Sequence, residues 1–216
     1  MLRYDAVLFD VDGTLIHSQP GILKTFAETF AELGVDTAGI DMMRYLGPPL
    51  RWSFGQHFDD PETVERAVEI YRRHYESDGM HGCSVYPGVA EMLGELRSAG
   101  VLLCTATSKT AATATAILRE KGIAEYFTIF GGASLDKSVD TKTAVIRQDL
   151  ADARLTGKRV LMVGDRQDDM RGAADCGIPA AAVLYGYGSP EELEPWKPVL
   201  LAGNCAEFTR YIVEKS

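Results

Sequence analysis

The chain is expected to be an α/β protein, with a doubly wound parallel-sheet core and an inserted α-helical domain. Three observations predict this. Five short apolar runs, at residues 4–9, 101–106, 127–130, 159–163 and 180–184, have the length and composition of buried strands. Stretches of helical period separate the last four, and strand alternating with helix implies a parallel sheet covered on both faces. Residues 20–78, by contrast, contain no strand pattern at all.

The first run, Val7-Leu8-Phe9, stops at two carboxylates, Asp10 and Asp12, followed by Gly13 and Thr14. A buried strand ending in charge is costly unless those charges have work to do. In the interval that follows, residues 21–33 place Ile22, Leu23, Phe26, Phe30 and Leu33 on one stripe. Residues 62–77 repeat this with Val64, Val68, Tyr71 and Tyr75 after the helix-starting Pro61. Gly47-Pro48-Pro49 divides the interval, which predicts two helical pairs. The expected division is therefore a core of residues 1–16 and 84–216 and a helical cap of residues 17–83. Such an insert lands at the carboxyl ends of the strands, where open α/β sheets bind ligands. It is expected to be mobile and to exclude water from a site there.

The alternation then becomes regular. Residues 88–99 carry Val89, Met92, Leu93 and Leu96 on one face and end at Gly100. Residues 111–121 carry Ile117 and Leu118 and end at Gly122. Residues 142–151 carry Val145, Ile146 and Leu150. Consecutive crossovers are expected to be right-handed.

Composition narrows the function. With 46% hydrophobic and 25% charged residues the chain is ordinary for a globular protein. A formal charge of −9 argues against a nucleic-acid polymer or an anionic membrane as partner. It also means that an anionic substrate needs local cations or a metal. Cys83, Cys104, Cys176 and Cys205 show no Cys-x-x-Cys pairing and read as reduced thiols. Met1 leads into the first strand without an apolar leader, so the expected location is cytoplasmic. No apolar run is long enough to span a bilayer. The chain is expected to be a monomer or homodimer.

Chemistry-bearing groups fall at four strand ends: Asp10 and Asp12, then Thr107-Ser108-Lys109, then Lys142, then Gly164-Asp165 with Asp169. A parallel sheet brings all four to one edge. Together with Leu46-Gly47-Pro48-Pro49-Leu50, Val85-Tyr86-Pro87-Gly88 and Ala106-Thr107-Ser108-Lys109, these motifs resemble the haloacid dehalogenase superfamily. The likeness runs nearly end to end, and is to its helical-cap phosphatases of the phosphoglycolate phosphatase and 5′-nucleotidase-like group.

The resemblance implies a Rossmann-like core and an Mg²⁺-dependent phosphomonoester hydrolase acting on small soluble phosphate esters. Asp10 would be the nucleophile that forms an aspartyl phosphate, and Asp12 the general acid and base. Asp10, the backbone of Asp12, Asp165 and Asp169 would hold Mg²⁺, a cation that prefers oxygen ligands. Gly13, Thr14, Thr107, Ser108 and Lys142 would bind the phosphate, Gly13 through an anion nest of backbone N–H groups. Lys142 is preferred over Lys137 for its spacing to Val145-Ile146, and Asp169 over Asp168 for the Gly-Asp-x-x-x-Asp spacing. Lys109 reads equally as a second phosphate-side cation or a solvated lysine. Arg166 reads equally as a substrate contact or the partner of a rim acid.

Two residues are expected to set specificity: Arg51, beside the rigid Pro48-Pro49 turn, and His17, at the entry to the insert where relatives often carry an acid. A phosphosugar mutase would share the same core residues. A dehalogenase would need neither Asp12 nor a metal, and a non-catalytic binding module would not need to keep both Asp10 and Asp12.

Overall fold

The computed structural model describes residues 2–136 and 138–213. Its strands are β1 (Ala6–Phe9), β2 (Ile16–His17), β3 (Ser84–Val85), β4 (Leu102–Thr110), β5 (Ile129–Ala133), β6 (Val160–Gly164), β7 (Ala180–Val183) and β8 (Leu201–Ala202). Its helices are α1 (Gln19–Glu32), α2 (Leu50–Phe54), α3 (Pro61–Ser77), α4 (Val89–Ser98), α5 (Ala111–Glu120), α6 (Lys142–Leu150), α7 (Gln167–Asp175), α8 (Pro190–Leu193) and α9 (Cys205–Val213). The chain divides into two compact units, one of Met1–His17 with Val85–Ser216 and one of Ser18–Ser84.

The larger unit is built on a six-stranded sheet ordered β5-β4-β1-β6-β7-β8, with parallel pairing throughout. Side chains alternate across the central strand. Ala6 and Leu8 join Cys104, Ala106, Val145, Ile146 and Met162 in one apolar cluster, so α6 covers that face. Phe9 points the other way, with its ring 5.9 Å from that of Phe208 in α9. Every residue of β1 is fully buried, as a central strand with two covered faces requires. Helix starts follow from side-chain caps: Thr110 accepts from Thr113 N–H to open α5, and Thr141 from Ala144 N–H to open α6.

The smaller unit is helical. Asp60 caps α3 by accepting from Thr63 N–H at 2.9 Å, with Pro61 in the first turn. Its core is aromatic: the ring of Phe26 lies 4.7 Å from Tyr71, 5.0 Å from Tyr45 and 5.3 Å from Phe54. Gly21 of α1 lets the backbone of Gly79 approach, since a Cβ there would lie 1.9 Å from the Gly79 carbonyl oxygen. The predicted first helical pair does not form. Between Gly34 and Gly47 the only regular element among the described residues is a 3-10 turn at Met42–Tyr45. The positive φ angles of Gly34 (70°) and Gly39 (82°) end helical geometry there.

No helix of the described residues is long and apolar enough to cross a membrane. All four cysteines are free thiols, Cys104 and Cys205 buried.

Candidate active site

At the carboxyl edge of the sheet the ladder gives way to side-chain chemistry. Asp10 leaves β1, its N–H still donating to Val163 of β6 at 2.9 Å. Asp165 follows directly after β6, and Asp169 sits in the first turn of α7. Asp169 is held there because its Oδ2 accepts the N–H of Arg166 at 3.0 Å, one half of a capping box. Lys142 is the first residue of α6.

These four meet. Lys142 Nζ lies 2.7 Å from Asp10 Oδ1, 2.8 Å from Asp169 Oδ1 and 2.9 Å from the Ala106 carbonyl oxygen. Asp10 and the Ala106 carbonyl accept hydrogen bonds from the ammonium, and Asp169 completes its surroundings as an ion pair. Asp10, Asp165 and Asp169 are all buried, and one oxygen from each lies within 4.8 Å of the others. Burial drives Asp10 up to about 7, with Asp169 and Asp12 adding to it and Lys142 opposing. Burial, then Asp10 and Asp169, push Asp165 well above the carboxylate range. Lys142 is pulled down by burial, but the carboxylates of Asp10 and Asp169 outweigh it and keep it cationic.

This donor set fits a hard divalent cation. One ammonium faces three buried carboxyl groups, so all three ionise together only with a further cation beside them. The buried Oδ1 of Asp12 also lacks a partner among the described residues.

Around this centre stand the other predicted residues. Asp12 Oδ2 is 3.2 Å from Lys109 Nζ, so Lys109 belongs to the site. Thr14 Oγ1 donates to Asp165 Oδ1 at 3.3 Å. Gly13 has φ 84°, and a Cβ there would lie 2.1 Å from Asp165 Oδ2, so only glycine fits. Its N–H donates to Ile16 at 2.9 Å and is engaged in the turn, which removes it from the expected anion nest.

Thr107 and Ser108 lie within β4 and not beyond it. The register with β5 breaks between Thr107 and Thr110, and such an irregularity re-aims side chains at a strand end. Thr107 is buried, and its Oγ1 accepts the N–H of Lys109 at 3.2 Å. Ser108 is half-buried.

Some candidates lie elsewhere. Arg166 pairs with an acid: its Nε is 2.9 Å from Glu192 Oε1. Asp168 pairs with Arg171 at 2.5 Å on the surface of α7. Arg51 is in the helical unit, where Glu65 binds it at two points, 2.6 Å at Nε and 3.0 Å at Nη2. His17 is in the sheet unit, its Nδ1 3.4 Å from the Tyr86 hydroxyl and its ring 6.0 Å from that of Tyr187. Lys137 is outside the described residues.

The sequence reading missed the loop after β7, Tyr185-Gly186-Tyr187-Gly188. Tyr187 N–H donates to Asp165 Oδ2 at 2.7 Å, and the Tyr185 hydroxyl donates to the Thr14 carbonyl at 3.1 Å. The available signal was alternation of glycine and tyrosine immediately after a strand.

Comparison with known proteins agrees with this architecture. The haloacid dehalogenase-like hydrolase family matches residues 7–183. A tyrosine-protein kinase, PtkA, of Mycobacterium tuberculosis is 37% identical over 189 residues, 87% of this chain but only 65% of that protein. A 5′-nucleotidase of Pseudomonas aeruginosa is 35% identical over 98% of this chain and 96% of its own length. A phosphoglycolate phosphatase of Rhodospirillum rubrum is 32% identical over 94% of this chain and 86% of its own. The crystal structure of a predicted phosphatase from Clostridium acetobutylicum superposes with a TM-score of 0.91 at 33% identity, covering 98% of this chain and 99% of that one. The chain belongs to the haloacid dehalogenase-like hydrolase family.

Proposed function

We propose that this hydrolase is an Mg²⁺-dependent phosphomonoesterase of small phosphate esters that works through an aspartyl phosphate. The observation that carries the reading is the meeting of Asp10, Asp165, Asp169 and Lys142, which come from two separate strand ends and two helix starts. Asp10, Asp165 and Asp169, with the backbone of Asp12, would hold the cation. When bound, it neutralises the charge between an anionic nucleophile and an anionic phosphate.

The chain's own groups do the rest. An oxygen of Asp10 attacks phosphorus, and the bond from phosphorus to the leaving oxygen breaks. Asp12 gives its proton to that oxygen. Asp12 then takes a proton from water, whose oxygen attacks the phosphorus of the acyl phosphate. The bond to Asp10 breaks, releasing inorganic phosphate and restoring the carboxylate. Lys142 stays cationic beside Asp10 and stabilises charge as it develops. Thr107 and Ser108 are assigned to the phosphate oxygens.

Two of the relatives carry names that fit a small phosphate ester, phosphoglycolate phosphatase and 5′-nucleotidase. Phosphoglycolate-type esters are the first choice and nucleoside monophosphates the alternative. A panel of phosphate esters, phosphoglycolate and nucleoside monophosphates among them, is the assay. Phosphate release is expected with Mg²⁺, to vanish with chelator and to be inhibited by Ca²⁺, whose longer bonds and higher coordination suit the site less. Asp10→Asn should fold and lose turnover, and Asp12→Asn should lower kcat by roughly 10²–10⁴-fold. Substantial turnover by folded Asp10→Asn would exclude the covalent route. Full activity after chelation would favour a dehalogenase, and isomerisation of a sugar phosphate without phosphate release a mutase.

A further inference from the structure

The Tyr185–Gly188 loop is built around one carboxylate. Tyr187 supplies a backbone donor to Asp165 Oδ2, and the two glycines supply room. A Cβ on Gly186 would lie 2.4 Å from the Asp165 Cβ and 2.4 Å from the Gly13 carbonyl oxygen. A Cβ on Gly188 would lie 1.9 Å from the Asp165 carbonyl oxygen. Neither glycine has a positive φ, so the requirement is space and not backbone freedom. With Gly13 also against its carboxylate, Asp165 is packed by three glycines and is 0% exposed.

The tyrosines fasten this strap. Tyr185 donates its hydroxyl to the Thr14 carbonyl and accepts from the Cys205 thiol at 3.6 Å. Thr14 in turn donates to the second oxygen of Asp165. Tyr86, just before α4, packs its ring 5.2 Å from that of Tyr185. The Tyr86 side chain interacts with that of Tyr187, and its hydroxyl lies 3.4 Å from His17 Nδ1. Both oxygens of Asp165 are thus held through groups that trace back to Tyr86 and Tyr185.

We propose that the Tyr185–Gly188 strap, anchored by Tyr86, positions Asp165 for a divalent cation without touching substrate. The proposal rests on the phosphatase reading above, because that reading makes Asp165 a metal ligand. Groups that orient ligating carboxylates typically change metal affinity about 10–100-fold when removed. The contact between the Tyr86 and Tyr187 side chains is the part of the strap that can be changed without moving backbone.

The test uses the full chain with Tyr86→Phe, Tyr187→Phe and the double variant. Mn²⁺ binding is read directly by the paramagnetic resonance of free Mn²⁺, which needs no turnover. Melting of the metal-free protein is read alongside, as are kcat and KM for a small aryl phosphate at saturating metal. Each single variant is expected to weaken Mn²⁺ binding about tenfold or more. The double variant is expected to lose no more than Tyr86→Phe alone, because the contact between the two tyrosines is lost once and that with His17 goes with Tyr86. Metal-free melting should stay at the wild-type value, and saturating metal should recover kcat.

Mn²⁺ affinity within twofold of wild type in both single variants overturns the strap's role while leaving the phosphatase reading intact. So does a kcat loss that saturating metal does not recover. Wild-type protein that binds no Mn²⁺ overturns both. If Tyr86→Phe does not fold, Tyr187→Phe removes the same contact from its other end and keeps the backbone donor to Asp165, so it decides alone.

Discussion

Asp149 is a carboxyl group set in an apolar wall. It lies on the inner face of α6, 3% exposed, and its Oδ2 has no hydrogen-bond partner among the described residues. Its neighbour across the packing is Gly131 of β5, where a Cβ would come within 2.2 Å of both carboxylate oxygens. The acid therefore fills a space that a side chain on β5 would otherwise take. Burial pushes its pKa up to about 7, with Asp152 raising it further and Lys142 opposing. The buried Cys104 thiol is near enough to feel its charge.

The folded chain thus holds this proton more tightly than the unfolded chain does. Stability is intact at low pH and falls as pH rises between the ordinary carboxylate value and about 7. Asp149→Asn cannot ionise. Its stability relative to wild type should rise by on the order of 2–3 kcal/mol between pH 5 and pH 8. Urea melts of both proteins at the two pH values measure this, and parallel profiles would mean that Asp149 ionises without penalty. The sequence hid this residue for a plain reason. A lone acid on a short helix reads as solvated, and only the facing glycine on another strand reveals otherwise. Asp10, Asp12, Asp165 and Asp169 were legible because each stands at a fixed spacing from glycine or from another acid beside a strand end.

Among the elements, α6 carries the heaviest duty, because it delivers Lys142 in its first turn while packing on β4 and β5. Its start is set by Thr141, whose Oγ1 accepts the N–H of Ala144 at 3.2 Å. Thr141→Ala should cost about 1 kcal/mol. In a chain of this size that is a fall in Tm of roughly 2–4 °C. Fraying there also loosens Lys142, so kcat/KM for phosphate release should fall, and Thr141→Ser should restore both quantities. Unchanged kinetics in a destabilised Thr141→Ala would separate the cap from the chemistry.

Helices with several turns of apolar period, such as α1, α3, α4 and α6, stand within two residues of their predicted bounds. β8, α8 and the two-residue strands β2 and β3 are too short to show any period, so no sequence pattern announced them. The strand predicted at 127–130 is realised at Ile129–Ala133, because Phe127 turns inward to meet Phe9, 6.2 Å between rings, before the ladder begins.

For the molecule as a whole, the groups assigned to phosphate chemistry all belong to the unit of Met1–His17 and Val85–Ser216. The unit of Ser18–Ser84 has its own aromatic core and its own ion pairs, among them Arg73 with Glu32 at 2.6 Å. With a net charge of −9, an anionic ester would depend on the few cations beside the site, Lys109 and Lys142. On this division, substitutions in the helical unit should alter which ester is accepted and leave hydrolysis itself intact. Arg51 is the sharpest case, because its bidentate pairing with Glu65 offers a competing, purely structural role. A guanidinium that binds a second anionic group of the substrate contributes a charge-assisted bond of about 1.5–3 kcal/mol. Arg51→Ala should then lower kcat/KM roughly 10–100-fold for phosphoglycolate, which carries a carboxylate besides its phosphate. The same variant should leave a simple aryl phosphate nearly unaffected, since that ester offers nothing more to hold. Glu65→Gln, which keeps the guanidinium but weakens its tether, should show the same selectivity with a smaller loss. Equal losses on both esters in both variants would make the pair a brace within the helical unit, and the choice of ester would have to be made elsewhere.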